Sequence, residues 1–389
     1  MTGEFDQVID RRGTASLKWD YSRRYTGLEG ILPLWVADMD FPAPPEVLQA
    51  LRRRVEHGVF GYTLEPESCF QAAMDWMRRR HGWELQREWL LPAPGVVPAI
   101  SLAILAFSEP GDEVVIQPPV YYPFAQCIRR NGRSVTENPL ILEGRRYGMD
   151  FAQLERSIGP RTRLAILCSP HNPVGRVWER DELERLAEIC LRGGLILLSD
   201  EIHCDLVLSG FRHLPTASLS AELAASTVTF LSATKTFNLA GLGGSLVVIP
   251  DAGLRRRFQS TLESVWTEVA NALSTAASEA AWRHGEPWLE RLLAYIQANY
   301  EFLVRFLEER LPELRVMPLE GTYLAWIDCR ALGLPDAQLK ARILERAGVW
   351  LDEGPMFGPG GQGFQRLNLA CPRATLRQAL ERLAGALGS

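Results

Sequence analysis

Three groups of polar residues follow short apolar runs in the middle of this chain of 389 residues. They are Asn172 after 164–168, Asp200, Glu201 and His203 after 195–199, and Ser232 and Lys235 after 227–231. Amide, carboxylate, imidazole, hydroxyl and amine groups are those that bind polar ligands, move protons and bond covalently to substrates. Each group alone has an ordinary explanation as a turn, a helix cap or a solvated loop. Their shared position after apolar runs indicates one site.

Lysine is rare in this chain. Lys18, Lys235 and Lys340 are the only lysines, whereas 39 residues are arginine. A guanidinium stays protonated in proteins, but an amine can lose its proton and act as a nucleophile or base. Codon preference explains the scarcity itself, so composition alone assigns no role to Lys235. Lys18 and Lys340 lack comparable polar company and are predicted to be ordinary surface charges.

The elements that must position these residues are buried strands that alternate with amphipathic helices. Nearly continuous apolar runs lie at 114–117, 164–168, 195–199, 227–231 and 245–249. Such runs are typical of strands covered on both faces, and the segment 179–192 has helical apolar spacing. The alternation predicts a doubly wound, mainly parallel α/β sheet, in which ligands gather at the carboxyl ends of the strands.

The order of predicted helices and strands changes after about residue 285. One long helix is predicted at 287–311, and strands mixed with helices follow it, ending in a helix from Ala374. The prediction is therefore a three-part chain. An N-terminal segment, 1–45, joins the small domain; the large ligand-binding domain is 46–285, and the small α+β domain is 286–389.

Composition excludes several other classes of protein. A net charge of −5 gives no general attraction to nucleic acid or anionic membranes. The uncharged stretch 89–108 contains several prolines, so we predict a loop followed by a buried helix instead of a membrane span. Seven scattered cysteines without C-x-x-C predict a reducing cytoplasm and no metal site.

The polar groups occur in the order N-P-x-G, D-E-x-H and S-x-x-K, which resembles fold-type I pyridoxal-phosphate enzymes of the aminotransferase class I/II superfamily. The longer stretches L-W-V-A-D-M-D-F, S-D-E-I-H-C-D-L, S-A-T-K-T-F-N-L-A-G-L and R-L-N-L-A-C-P-R resemble its MalY/PatB branch, the cystathionine β-lyase-like C–S lyases. This resemblance runs from about residue 30 to the C-terminus. It implies a PLP-dependent transferase-like fold with a mainly parallel seven-stranded sheet, a smaller α+β domain, and pyridoxal 5′-phosphate as cofactor.

The resemblance also implies roles around the cofactor ring. Lys235 would bond covalently to the cofactor aldehyde and move the Cα proton of the substrate. Asp200 would lie against the pyridine nitrogen, and Asn172 would donate a hydrogen bond to the phenolic oxygen. His203 stands three residues after the aspartate, where many aminotransferases have tyrosine.

The cofactor phosphate requires fixed hydrogen-bond donors. Gly95, Val96 and Val97 stand at the start of the predicted buried helix, where free N–H groups and the helix dipole favour an anion. On the resemblance, Ser232 adds a hydroxyl, and Tyr62 reaches the phosphate from the partner subunit. The chain is therefore expected to be a homodimer with active sites shared between subunits.

Two further features bear on the cofactor site. Tyr121 is expected to stack on the ring as a catalytic residue, with its neighbour Tyr122 as the alternative. Many aminotransferases have a phosphate-binding arginine eight residues after the lysine, but this chain has Gly243 there. That departure favours the lyase branch over the transaminase one.

The substrate carboxylate is expected to bind Arg366, because a planar guanidinium can grip a carboxylate with two hydrogen bonds. The resemblance places Ala37 and Asn172 beside it as further substrate contacts. Asp38 and Asp40, on the same segment as Ala37, are predicted to cap and order their loop.

The function that these residues imply is β-elimination. The substrate would be L-cystathionine or a related L-cysteine S-conjugate, and the products would be pyruvate, ammonia and a thiol. An aminotransferase acting on an aromatic or other L-amino acid is the alternative, because it would use the same residues. A regulatory protein that keeps the cofactor as a structural element is a third hypothesis, in which Lys235→Ala would retain the full biological effect.

Overall fold

The computed structural model describes residues 3–265 and 270–388. The strands are β1 (Leu32–Pro33), β2 (Leu90–Ala93), β3 (Glu113–Ile116), β4 (Ser134–Glu137), β5 (Ile141–Glu143), β6 (Arg146–Gly148), β7 (Thr162–Cys168), β8 (Ile196–Asp200), β9 (Thr227–Leu231), β10 (Ser245–Val248), β11 (Arg315–Val316), β12 (Leu324–Asp328), β13 (Val349–Trp350), β14 (Asp352–Glu353) and β15 (Phe364–Asn368). The α-helices are α1 (Gly3–Asp6), α2 (Leu17–Asp20), α3 (Ser22–Thr26), α4 (Pro45–Glu56), α5 (Glu67–His81), α6 (Val96–Phe107), α7 (Pro123–Arg130), α8 (Phe151–Ser157), α9 (Arg180–Arg192), α10 (Ala221–Ala225), α11 (Ala233–Thr236), α12 (Ala252–Ser264), α13 (Ala272–His284), α14 (Glu286–Arg310), α15 (Asp336–Lys340) and α16 (Arg373–Leu387).

The large sheet has seven strands in the order β2-β10-β9-β8-β7-β3-β4. Five of them, from β9 to β4, run parallel, and β10 is antiparallel to both of its neighbours. The mainly parallel seven-stranded sheet is therefore confirmed. The five apolar runs all form strands of this sheet, and burial on both faces explains their continuous hydrophobicity.

Strand β2 differs from the sequence prediction, which placed a loop before the buried helix. Leu90–Ala93 pairs with β10 at the edge of the sheet, and Pro92 lies opposite Leu246. Proline cannot donate to a ladder, but an edge strand has one side without a partner and can accommodate it. The buried helix itself, α6, begins at Val96 as expected.

A second sheet, β11-β12-β15-β14, is antiparallel and follows the long helix α14 in the chain. Among the helices of this part, α15 continues directly as a π-helix over Ala341–Arg346. The N-terminal segment contributes β1, which pairs with β13 in parallel. Among the described helices, none is long and apolar enough to span a membrane.

Lys18 is not a surface charge, so that prediction is wrong. Its side chain is fully buried, and Nζ donates to Asp40 Oδ2 at 2.7 Å. Arg11 donates to both Asp38 and Asp40, and Trp19 Nε1 donates to Asp40 at 2.9 Å. The carboxylates on the segment 35–40 therefore order it by binding cations from the N-terminal residues, because a buried charge needs a partner.

Replacing Lys18 with methionine should lower the free energy of unfolding by about 3 kcal/mol, because Asp40 remains buried with an incomplete set of partners. Burial acts to raise the pKa of Asp40, but Lys18 and the other donors outweigh it and hold that pKa below its ordinary value. The Lys18 contribution is therefore present at neutral pH and lost as the pH falls below about 4. Urea unfolding at several pH values measures this difference. Lys340→Met, at a half-exposed lysine paired with Glu353, is the control and should lose less than about 1 kcal/mol.

Candidate active site

The candidate site lies at the carboxyl edge of the large sheet, where β7, β8 and β9 end side by side. The register pairs Cys168 with Asp200 and Asp200 with Phe230. Asn172 follows β7, Asp200 closes β8, and Lys235 lies on α11, which begins directly after the Ser232 that follows β9. The structure therefore brings together the polar groups that the strand ends predicted.

The Lys235 amine is held by a backbone carbonyl. Its Nζ donates to the oxygen of Ala37 at 2.6 Å, and the hydroxyl of Tyr323 donates to the same oxygen at 2.9 Å. Burial lowers the pKa of Lys235 to about 8, although the nearby carboxylate of Asp38 acts in the opposite direction. A substantial neutral fraction near physiological pH is what a base or nucleophile requires.

Asp200 is a buried carboxyl group beside this amine. Burial raises the pKa of Asp200 to about 7, against the opposing effects of the Ile202 N–H and the Lys235 charge. The Ile202 N–H donates to Oδ1 at 3.1 Å. A carboxyl group in this state gains stability as an anion when a cationic nitrogen binds next to it.

His203 is buried with a neutral ring. Burial lowers its pKa to about 3, and the charges of Lys235 and Arg366 act in the same direction. Within the described part of the chain, its Nδ1 has no hydrogen-bond partner. The ring lies edge-on to Tyr323, with centroids 6.1 Å apart.

Arg366 connects the second sheet to the edge of the first. Its Nη1 donates to Asn172 Oδ1 at 2.9 Å, and its Nη2 donates to the carbonyl of Trp35 at 3.0 Å. Nη2 also forms a buried ion pair with Asp352. Nε is buried and has no partner among the residues that the structure describes. The amide of Asn172 is thereby oriented with its oxygen toward Arg366, leaving the NH₂ group to donate elsewhere.

The first turn of α6 provides backbone donors. Gly95 is the N-cap residue, and Val96 and Val97 are the first two helical residues. The first N–H groups of a helix have no acceptor within it, so they and the helix dipole attract an anion. Pro98 has no N–H, and the donors of this turn are therefore those of Val96 and Val97.

Ser232 is the N-cap of α11, and its hydroxyl is already engaged. It accepts from the Thr234 N–H and donates to the carbonyl of Gly244 at 2.7 Å. A phosphate oxygen accepts hydrogen bonds, so Ser232 contacts it only by turning its one hydroxyl hydrogen from Gly244 to the phosphate. The phosphate contact of Ser232 stays a prediction.

Gly243 adopts a backbone conformation in which an arginine would be strained. Its φ is 69°, and a Cβ atom there would lie 3.1 Å from the carbonyl oxygen of Pro94. Residues other than glycine rarely adopt this backbone geometry. The local backbone is therefore suited to glycine and not to the phosphate-binding arginine.

Tyr121 and Tyr122 have different surroundings. Burial raises the pKa of both hydroxyls above the ordinary value. The charge of Asp200 acts on Tyr121, whereas the charge of Asp352 acts on Tyr122. Tyr121 is thus the tyrosine on the Asp200 side, which supports it as the residue that stacks on the cofactor ring.

Tyr62 is not part of this site within one chain, because its side chain is completely exposed. Other large apolar side chains nearby in sequence are also exposed, namely Val55, Val59, Phe60 and Leu64. Apolar groups exposed together in this way are typical of protein–protein contact surfaces.

Two residues of the site gave no motif in the sequence. Tyr323 hydrogen-bonds the carbonyl that holds Lys235, and Asp352 pairs with Arg366. The available signal was a polar residue in each of two otherwise apolar runs, T-Y-L-A-W and V-W-L-D. That signal does not distinguish a site residue from an ordinary strand residue.

The residues present fit pyridoxal 5′-phosphate. Asp200 offers a buried carboxylate to a ring nitrogen, and the first turn of α6 offers donors to a phosphate. His203 Nδ1 and Arg366 Nε are buried polar atoms without partners in the described residues, and a ligand would satisfy such atoms. Lys235 supplies an amine of lowered pKa for a bond to an aldehyde.

Comparison with known proteins agrees with this geometry. A family model described as aminotransferase class I and II matches residues 29–383. Cystathionine beta-lyase PatB of Bacillus subtilis (strain 168) is 45% identical over 384 residues, covering 98% of this chain and 99% of that protein. Protein MalY of Escherichia coli (strain K12) is 34% identical over 389 residues, covering 99% and 98%. The crystal structure of the PLP-bound C–S lyase from Staphylococcus hominis is similar, with a TM-score of 0.92, 32% identity, and coverage of 99% of this chain and 98% of that one.

Proposed function

The chain belongs to the aminotransferase class I and II family, and from this premise we propose that it is a pyridoxal 5′-phosphate-dependent C–S β-lyase. Its substrates are L-cystathionine or related L-cysteine S-conjugates, which it cleaves to pyruvate, ammonia and a thiol. The observation that carries the proposal is the meeting of the Lys235 amine, the Asp200 carboxyl group and the Arg366 guanidinium at one edge of the sheet. The names of the relatives and Gly243 favour elimination over transamination.

Each residue has a defined task in this reaction. When bound, the cofactor supplies an electron sink for the charge that develops at the substrate Cα. Lys235 Nζ accepts the Cα proton and delivers a proton to the sulfur that leaves from Cβ. Arg366 and Asn172 bind the substrate carboxylate, and Asp200 binds the ring nitrogen. Water then hydrolyses the remaining three-carbon unit to pyruvate and ammonia.

The direct test is the product balance. Purified enzyme supplied with pyridoxal 5′-phosphate and L-cystathionine should release pyruvate and thiol in equal amounts. An aminotransferase would convert an added 2-oxo acid into an amino acid without releasing thiol. Release of neither pyruvate nor thiol, together with such amino-group transfer, would establish the aminotransferase alternative.

A homodimer is part of the proposal. Tyr62 would bind the phosphate in the partner's site, together with Ser232 and the Val96 and Val97 N–H groups of that partner. The complete exposure of Tyr62 and of its apolar neighbours supports this arrangement. A protein that sediments as a monomer and turns over substrate at the full rate under the same conditions would contradict this proposal.

The division into 1–45, 46–285 and 286–389 and the cytoplasmic location are proposals as well. The separate seven-stranded and four-stranded sheets support the domain division. The cysteines, all free and buried, support a reducing compartment.

A further inference from the structure

The guanidinium of Arg366 is already engaged before any substrate arrives. It has five N–H groups. Three of them donate, one from Nη1 to Asn172 and two from Nη2 to the Trp35 carbonyl and Asp352. The Nε–H is buried and has no acceptor in the described residues, so it is available to a ligand.

A carboxylate can bind a guanidinium with two parallel hydrogen bonds in two ways. The side-on mode uses Nε and Nη2, and the end-on mode uses Nη1 and Nη2. Both modes require Nη2, whose two hydrogens are taken by the Trp35 carbonyl and Asp352. Bidentate binding of a substrate carboxylate therefore requires that one of these two hydrogen bonds of Nη2 is broken.

Of the two acceptors on Nη2, Asp352 is the one that the substrate carboxylate repels. The carbonyl of Trp35 is neutral, whereas two carboxylates on one guanidinium repel each other. The strand register places Asp352 directly opposite Arg366, and both side chains are almost completely buried. Because both groups are buried, this repulsion is screened less than it would be at the surface.

From this geometry we infer that Asp352 is an internal counter-ion that occupies the substrate-carboxylate position of Arg366 and is displaced when substrate binds. The inference rests on the proposed function only in assigning the substrate carboxylate to Arg366. Asp352 is thus a positioning residue that holds Arg366 in the free enzyme and sets the affinity for the carboxylate.

Other groups around Asp352 are compatible with this role. Burial raises its pKa although Arg366 lowers it, and Glu353 on the same strand adds to the increase. The charge of Asp352 also acts on the Tyr122 hydroxyl and helps to raise its pKa, after the larger effect of burial. Once the substrate carboxylate takes Arg366, these surroundings favour uptake of a proton from solvent by Asp352, which then leaves the guanidinium as a neutral carboxyl group.

The test is the holoenzyme variant Asp352→Asn, which keeps the shape and removes the competing charge. KM for L-cystathionine should fall about ten-fold, the factor that corresponds to about 1.4 kcal/mol of binding free energy. The change in kcat should be smaller than the change in KM. The inhibition constant of propionate should fall similarly, whereas that of the uncharged propionamide should not change.

Glu353→Gln is the matched control, because it removes a charge one residue away that pairs with Lys340 on the surface. Its KM should change less than about two-fold. An unchanged or higher KM in Asp352→Asn, or an equal effect on propionamide, would overturn the inference. If Asp352→Asn is too unstable for kinetics, the increase in Tm that propionate produces is measured instead. This increase should be larger in Asp352→Asn than in the wild type, and an equal increase would also overturn the inference.

These outcomes are separable from failure of the proposed function. Propionate binding reports on Arg366 whether the enzyme eliminates a thiol or transfers an amino group. Arg366→Met should abolish propionate inhibition in either case. If it does not, Arg366 does not bind the carboxylate, and the proposed site is wrong independently of Asp352.

Discussion

Replacing Lys235 with alanine should lower the turnover of L-cystathionine by about 10⁴-fold or more, because both proton transfers depend on its amine. The variant should also lose the absorbance band of the covalently bound cofactor. The position of the amine at a buried backbone carbonyl, with a pKa lowered to about 8, is the structural basis of this expectation. Steady-state release of pyruvate and an absorbance spectrum measure the two effects.

Two variants control for the loss of a long side chain and of a positive charge. Lys235→Arg keeps the charge but stays protonated, so it should be as inactive as Lys235→Ala. Lys340→Ala removes a lysine from the surface and should retain wild-type turnover. Retention of more than a tenth of the activity in Lys235→Ala would refute the assigned role.

The sequence predicted the residues at the strand ends because parallel strands bring their carboxyl ends to one edge. The prediction of this site required only that three apolar runs be identified, together with the residues that follow them, Asn172, Asp200 and Lys235. No knowledge of which residues touch was required, since the topology of a parallel sheet places all three together.

The contacts made by the N-terminal segment could not be predicted in the same way. Lys18 and Asp40 are 22 residues apart, and the Ala37 carbonyl meets Lys235 across 198 positions. Such contacts depend on how the segment crosses the sheet edge, and hydrophobic periodicity does not contain that information. Lys18 was therefore expected at the surface, where lysines are most often found.

The pairing of Asp352 with Arg366 depends on strand register. Strand β14 has two residues, too few for an alternating pattern to show which face each side chain occupies. Its antiparallel pairing with β15 then determines that Asp352 lies opposite Arg366. The sequence predicted the guanidinium but could not show that it already has a counter-ion.

Asp200→Asn should have opposite effects on catalysis and on the stability of the cofactor-free protein. With cofactor bound, the amide cannot hold the ring nitrogen in its protonated form, so kcat should fall by about 10²–10³-fold. Without cofactor, the wild-type protein carries a buried carboxyl group whose pKa is raised from 3.8 to about 7. The folded state then binds a proton that the unfolded state has lost, and stability decreases as the pH rises from about 4 to about 7.

Asparagine has no such proton and can still accept the hydrogen bond from the Ile202 N–H. Cofactor-free Asp200→Asn should therefore be more stable than cofactor-free wild type at pH 8, by about 1 to 4 kcal/mol, and the difference should vanish near pH 4. Urea unfolding of both proteins across this range measures it. If Asp200 only maintained the fold, the variant would lose stability along with activity. Equal or lower stability of the variant at pH 8 would therefore contradict the prediction. It would show that contacts within the protein already stabilise the Asp200 carboxylate, without a cationic ring nitrogen.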